Sequence, residues 1–166
     1  WKRLYEGVYY VGAGAHGRRS TWMAAVLAAG PGAVLTGPAA AELWGLTRIP
    51  ARTIDVAGPR TPHHVLGARV HRSRWFGRND RTTRDGIPIA SPMRTIVDLA
   101  ELVDPYELIG PLHQAARLQL LRTRQLDIVR GRLRNRRHGH RALTFALGQL
   151  HAGSTGILSY AELVLV

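Results

Sequence analysis

The sequence predicts an α+β protein. We expect a small mixed α/β domain over residues 1–90, an arginine-rich all-helical segment over 91–152, and the start of a further domain over 153–166. Runs of β-branched and aromatic residues separated by turn residues dominate the first part, which is typical of short strands. From Ser91 onward, helix-capping signals and apolar residues at helical spacing replace them. The boundary is therefore placed where the pattern changes.

Short strands and two helices are predicted within the first 90 residues. The strand segments are 3–11, a strand pair or one bent strand around Gly7, then 33–35, 53–57 and 68–72, and a hairpin of short strands over 82–90 with a turn at Asp85-Gly86. Ser20 is the expected N-cap of the first helix, which Gly30-Pro31 ends. Pro38 opens a second short helix that ends near Gly45.

Helices alone are predicted after this boundary. Ser91 is the expected N-cap of the first, with Pro92 in its first position. Asp104 and Glu107 form the capping box of the second. Gly110-Pro111 is expected to break or kink that helix, because proline removes an amide hydrogen bond. Two more helices are predicted over 123–133 and 141–150.

Both ends of the sequence suggest a longer protein. Trp1 is an unusual first residue, since initiator methionine is normally removed only before a small residue. Ser159 and Glu162 form a capping box, but only the four residues 163–166 follow Glu162. A globular helix usually has ~8–20 residues. We therefore expect the protein to continue beyond Val166, and a short terminal helix is the alternative.

The charge of the chain points to a polyanionic partner. The 166 residues carry 23 cationic and 11 acidic side chains, for a net charge of +12, and Lys2 is the single lysine. Such an arginine preference is typical of GC-rich genomes, so codon supply explains part of the arginine count. It does not explain the shortage of acidic residues. The partner classes left open are DNA, RNA and an acidic protein, with nucleic acid favoured.

The most basic stretch runs from residue 117 to 141, and Asp127 is its only acidic residue. Arginine can donate two parallel hydrogen bonds to a phosphate, and Arg130, Arg134 and Arg137 share one face of a continuous helix. The predicted nucleic-acid-binding residues are Arg117, Arg122, Arg124, Arg130, Arg134, Arg136, Arg137 and Arg141. The alternative is a solvated helix surface. Because phosphates carry no sequence information, these residues predict no target sequence.

A second group of basic residues surrounds the aromatic pair Trp75-Phe76. It consists of Arg69, Arg72, Arg74, Arg78, Arg81 and Arg84. Basic and aromatic side chains together can bind single strands. We favour the alternative that Trp75 and Phe76 pack within the fold.

No catalytic site is predicted within these residues, and no metal or cofactor site. The chain has no cysteine, and the histidine pairs 63–64 and 138–140 lack carboxylates at ligand spacing. Nuclease, nucleotidyltransferase, phosphate-loop and serine-nucleophile motifs are all missing from the sequence. No signal peptide is visible in these residues, and no apolar run approaches the ~20 residues that cross a membrane. We expect a cytoplasmic protein without a membrane partner.

Four ordered stretches resemble a known family. They are RLYEGVYYVG (3–12), PGAVLTGPAAAELWGL (31–46), TIDVAGPR (53–60) with ARVHRSR (68–74), and DGIPIASPMRTIVDLA (85–100). Together they resemble the AbiEi-type antitoxins of type IV toxin–antitoxin systems, in the actinobacterial branch that carries a Vsr-like endonuclease-type domain downstream. The resemblance implies that residues 1–12 are the wing end of a winged helix, with its recognition helices before Trp1. It also implies that the nuclease-type acidic residues lie after Val166.

Three functions are therefore open from the sequence. The first is a DNA-associated AbiEi-like antitoxin or transcriptional regulator, which binds nucleic acid through its arginine-rich helices and opposes a cognate toxin protein. The second is the non-catalytic N-terminal part of a Vsr-like DNA endonuclease whose active site lies beyond Val166. The third is a structural domain whose arginines reflect composition alone.

Overall fold

The chain has the α+β fold that its sequence predicts. The structure, a computed structural model, describes residues 1–59, 65–72, 77–121 and 138–152. In these ranges every strand lies at or before Ala90, and the regular elements that follow are helices. The predicted helix over 123–133 and the segment 153–166 lie outside the described residues.

A two-stranded hairpin and a helix begin the chain. Strands β1 (Lys2–Tyr5) and β2 (Val8–Tyr10) pair antiparallel, which confirms a strand pair over 3–11. Gly7 in their turn has φ +70°, which glycine adopts without steric cost. The hairpin packs against helix α1 (Arg18–Ala29).

The predicted start of α1 was wrong. Gly17, not Ser20, is its N-cap, and Gly17 has no side chain to cap the first turn. The helix extends to Arg18 because this side chain is held by tertiary contacts with Glu42 and the carbonyl of Ala51. At the other end Gly30 terminates the helix, as predicted.

A mixed five-stranded sheet forms the centre of the α/β part. Its strands are β3 (Val34–Thr36), β4 (Ile54–Gly58), β5 (Ala68–Arg72), β6 (Arg81–Arg84) and β7 (Ile87–Ala90), in the spatial order β5-β4-β3-β7-β6. β3 pairs antiparallel with β4 and parallel with β7. Leu35, Val56 and Ile89 are therefore neighbours across the three central strands, and all three are fully buried.

Helix α2 (Gly37–Trp44) follows β3 without a loop. Gly37 has φ +59°, and a Cβ atom there would lie 3.5 Å from the Asp55 side chain. Gly45 ends the helix in the left-handed conformation, as its position in the sequence predicts. Trp44, the last residue of the helix, is buried in the core.

The helical part contains α3 (Pro92–Ala100), α4 (Pro105–Arg117) and α5 (His138–Ala152). Ser91 accepts a hydrogen bond from the Arg94 amide, and Asp104 with Glu107 forms the predicted capping box. Of the break or kink predicted at Gly110-Pro111, the break was wrong, because α4 continues through Pro111. Its apolar face, which includes Leu108 and Leu112, is fully buried and offsets the hydrogen bond that proline removes.

One buried cluster joins both parts of the chain. It contains Leu35 and Val56 of the sheet together with Leu112 of α4 and Leu143 of α5. α2 packs on α3, and α5 packs on α3 and α4. No described helix is both long enough and apolar enough to span a bilayer.

Candidate nucleic-acid interface

Two of the predicted nucleic-acid-binding residues lie within the described part of the chain. Arg117 is the last residue of α4, is exposed, and donates from Nε to the Gln114 side-chain oxygen at 3.0 Å. Arg141 is exposed near the start of α5. The other six lie outside the described residues: Arg122, Arg124, Arg130, Arg134, Arg136 and Arg137.

Arg117 and Arg141 do not meet at one point. Phe145, one helical turn after Arg141, packs edge-to-face on Tyr106 at 4.8 Å between ring centroids. Tyr106 is in the first turn of α4, whereas Arg117 ends that helix. Eleven residues of helix separate Tyr106 from Arg117, a rise of roughly 16 Å. Arg141 therefore lies near the first turn of α4, and Arg117 lies at the other end of that helix.

Gly139 fixes the position of Arg141. A Cβ atom at Gly139 would lie 2.9 Å from Glu101 Cγ and 3.0 Å from the carbonyl carbon of Ala100. The start of α5 therefore lies directly against the end of α3, and only a glycine allows this approach. Sequence reasoning did not identify this role.

The second predicted basic group is divided by the sheet. Arg69 and Arg72 lie on β5, whereas Arg81 and Arg84 lie on β6. These strands are the opposite edges of the sheet, roughly 19 Å apart at the usual strand spacing. The described arginines of this group therefore do not form one patch. Arg74, Trp75 and Phe76 lie outside the described residues.

Several arginines hold the fold together and are not spare surface charge. Arg69 forms a two-pronged ion pair with the buried Asp55, from Nε to Oδ1 at 2.8 Å and from Nη2 to Oδ2 at 3.0 Å. Arg19 pairs with Asp85 at 3.1 Å. The guanidinium of Arg84 lies 4.7 Å from the centre of a Trp44 ring. Such contacts across the fold are invisible in the sequence, because partners are up to 66 residues apart.

Arg94 and Asp98 form a largely buried ion pair within α3, at 2.7 Å from Nε to Oδ1. The two side chains are only 12% and 16% exposed, so solvent screens the pair little. Burial raises the pKa of the Asp98 carboxyl, and this effect exceeds the opposite effect of the Arg94 guanidinium.

Most described carboxylates already bond to groups elsewhere in the fold. Glu42, Asp55, Asp85 and Asp98 pair with arginines. Asp80, Asp104 and Glu107 accept hydrogen bonds from backbone amides. Seven of the carboxylates that the structure describes are therefore engaged within the fold.

His113 of α4 makes the stability of the helical part sensitive to acid. Burial lowers the pKa of its imidazole below the ordinary 6.5, and its Nε2 has no hydrogen-bond partner among the described residues. Above pH 6.5 His113 is neutral in both the folded and the unfolded chain. As the pH falls below that value, the unfolded chain gains a proton first, so unfolding becomes more favourable.

We expect His113→Gln to lose part of this acid sensitivity. Urea unfolding of both proteins at pH 7 and pH 5 would measure it, with the unmodified chain losing more stability on acidification. Equal losses in the two proteins would show that His113 titrates alike in both states.

The described residues contain no group of three histidine, cysteine or acidic side chains that could hold a metal ion. Comparison with known proteins gave no relatives: no protein-family model, no curated protein and no solved structure matches the chain.

Proposed function

We propose that this protein is a DNA-associated regulator that binds the phosphate backbone through its arginine-rich segment, residues 117–141. The observation that carries the proposal is charge density. Residues 122–137 contain seven arginines and one acidic residue, and exposed arginines stand on either side, at 117 and 141. The described carboxylates are mostly bonded elsewhere in the fold.

Phosphate binding follows from the chemistry of these side chains. Arginine stays charged at every physiological pH and matches the geometry of two phosphate oxygens. Each phosphate that it neutralises releases counterions, so binding weakens as salt rises. Such contacts position a protein on DNA without selecting a sequence.

The biological role that we propose is that of an AbiEi-like antitoxin or autoregulator in the bacterial cytoplasm, with a cognate toxin as its protein partner. The four ordered sequence stretches that resemble this family support it. The buried cluster that joins the sheet to the described helices is compatible with a binding protein.

The test is a variant in which Arg130, Arg134 and Arg137 are changed together to alanine. We expect the slope of log affinity for duplex DNA against log salt to become less negative by about 0.9 for each arginine that no longer neutralises a phosphate. With all three arginines replaced, the factor by which affinity falls from 50 to 200 mM salt becomes about 40-fold smaller than in the unmodified protein.

A matched control removes the same charge from other exposed positions, by changing Arg72, Arg78 and Arg81 to alanine. Its slope should equal that of the unmodified protein. If the control flattens the slope and the 130/134/137 variant does not, the interface lies elsewhere.

A further inference from the structure

The loop between α2 and β4, residues 46–53, is held in place by a clamp of three hydrogen bonds. The Glu42 carboxylate accepts from the Ala51 amide at 2.7 Å and from Arg18 at 2.6 Å. Arg18 also donates to the Ala51 carbonyl at 3.0 Å. Both backbone groups of Ala51 are therefore fixed to helices α1 and α2. A surface loop tied in this way binds a partner without first paying the entropy of ordering.

This clamped loop presents two arginines around an exposed apolar side chain. Arg48 and Arg52 are exposed and have no partner among the described residues. Ile49 between them is 77% exposed, one of the most exposed large apolar side chains described. Arg18 and Glu42 form the clamp. The side chains of Arg48, Ile49 and Arg52 have no such structural role among the described residues.

The loop adjoins the arginine-rich segment. Leu118 Cδ1 lies 4.0 Å from the position of a Cβ atom on Gly45, so the end of α4 meets the end of α2. Arg117 precedes Leu118, and Arg48 follows Gly45 by three residues, a reach of at most about 10 Å. Arg117, the first residue of the arginine-rich segment, therefore lies near this loop at one corner of the fold.

Duplex DNA suits this loop better than a single strand. The tryptophans beside the clamp, Trp22 and Trp44, are buried and offer no face on which a base could stack. Two arginines flanking an exposed isoleucine match the contacts that proteins make with a duplex groove, where cations meet phosphates and an apolar side chain meets the sugars and bases. We propose that the loop 46–53 is a second duplex-DNA contact, in which Arg48 and Arg52 bind phosphates and Ile49 packs between them.

The proposal rests on the proposed DNA binding of the chain, but not on the segment 117–141 as its site. Two variants of the full chain test it against a random-sequence duplex. Arg48 and Arg52 are changed together to alanine in the first variant. The factor by which its affinity falls from 50 to 200 mM salt should be about 12-fold smaller than in the unmodified protein, since two phosphates are no longer neutralised. Ile49→Ser should weaken binding roughly three- to tenfold at every salt concentration and leave the slope unchanged, because its contact is apolar.

The control is Arg72→Ala at the far end of the β4–β5 pair, roughly 13 Å along the strands from the loop, which should leave the slope unchanged. All these side chains are exposed, so the melting temperatures should stay within a degree or two of the unmodified protein. If the double variant keeps the original slope while the 130/134/137 variant flattens it, the loop proposal alone is overturned, and an acidic protein becomes the loop's expected partner. If the unmodified chain does not bind the duplex, both proposals are overturned.

Discussion

Replacement of Trp44 by alanine is expected to destabilise the fold by about 3–5 kcal/mol, the usual cost of truncating a large buried aromatic residue. Trp44 is only 8% exposed and joins three parts of the structure. Its indole Nε1 donates to the Ala90 carbonyl at 2.9 Å, and Arg84 lies over its ring. The variant would leave a cavity between α2 and the β6–β7 hairpin.

Urea unfolding measures this cost, and two further variants separate its causes. Trp44→Phe keeps most of the apolar volume and loses the indole donor, so it should cost about 1–2 kcal/mol. Trp1→Ala is the matched control, because Trp1 is 92% exposed and should change stability by less than about 0.5 kcal/mol. A loss for Trp44→Ala no larger than that of the control would contradict the packing described here.

Leu143→Ala, in helix α5, is expected to lower the stability of the whole chain by about 2–5 kcal/mol. Leu143 is fully buried and belongs to the same cluster as Leu35 and Val56 of the sheet. Loss of its side chain should therefore weaken the α/β part as well as the helical part.

The tryptophans make this coupling measurable. All four lie within residues 1–90, so their fluorescence reports the α/β part and not the site of the substitution. We expect the fluorescence transition and the loss of helical circular dichroism to shift together to lower urea. A fluorescence midpoint that stays in place while the helical signal moves would show that residues 1–90 and 91–152 unfold as separate domains.

Local signals predicted most of the elements. Asp85-Gly86 forms the turn between β6 and β7, and β5 has the predicted bounds 68–72. Ser91 caps α3, and Asp104 with Glu107 caps α4. These features depend on residues within a few positions of one another, so the sequence contains all the chemistry that decides them.

The errors arose where distant contacts outweigh local preference. Ser20 is a good cap in isolation, but the contacts of Arg18 with Glu42 and Ala51 extend α1 to an earlier start. Pro111 disfavours a helix interior by about 3 kcal/mol. Its helix persists because the flanking residues Leu108 and Leu112 are fully buried. Helix propensity alone does not include the free energy gained from such burial.

The sequence predicted the excess of positive charge in the candidate interface, but not how the arginines are arranged in the fold. Counting arginines could not distinguish Arg69, which is paired with Asp55, from Arg52, which has no partner in the part of the chain that the structure describes. Nor could it show that β5 and β6 are opposite edges of one sheet, because strand order depends on the whole fold. The clamped loop at residues 46–53 was missed for the same reason, since Arg18 is 33 residues from Ala51.

The central claim is that the chain binds the backbone of duplex DNA. Its most direct test is the affinity of the unmodified protein for two duplexes of unrelated sequence across a salt series. We predict a straight line of log affinity against log salt, with the same negative slope for both duplexes, about −0.9 for each arginine that neutralises a phosphate. No binding at low salt, or an affinity that does not fall as salt rises, would contradict the account.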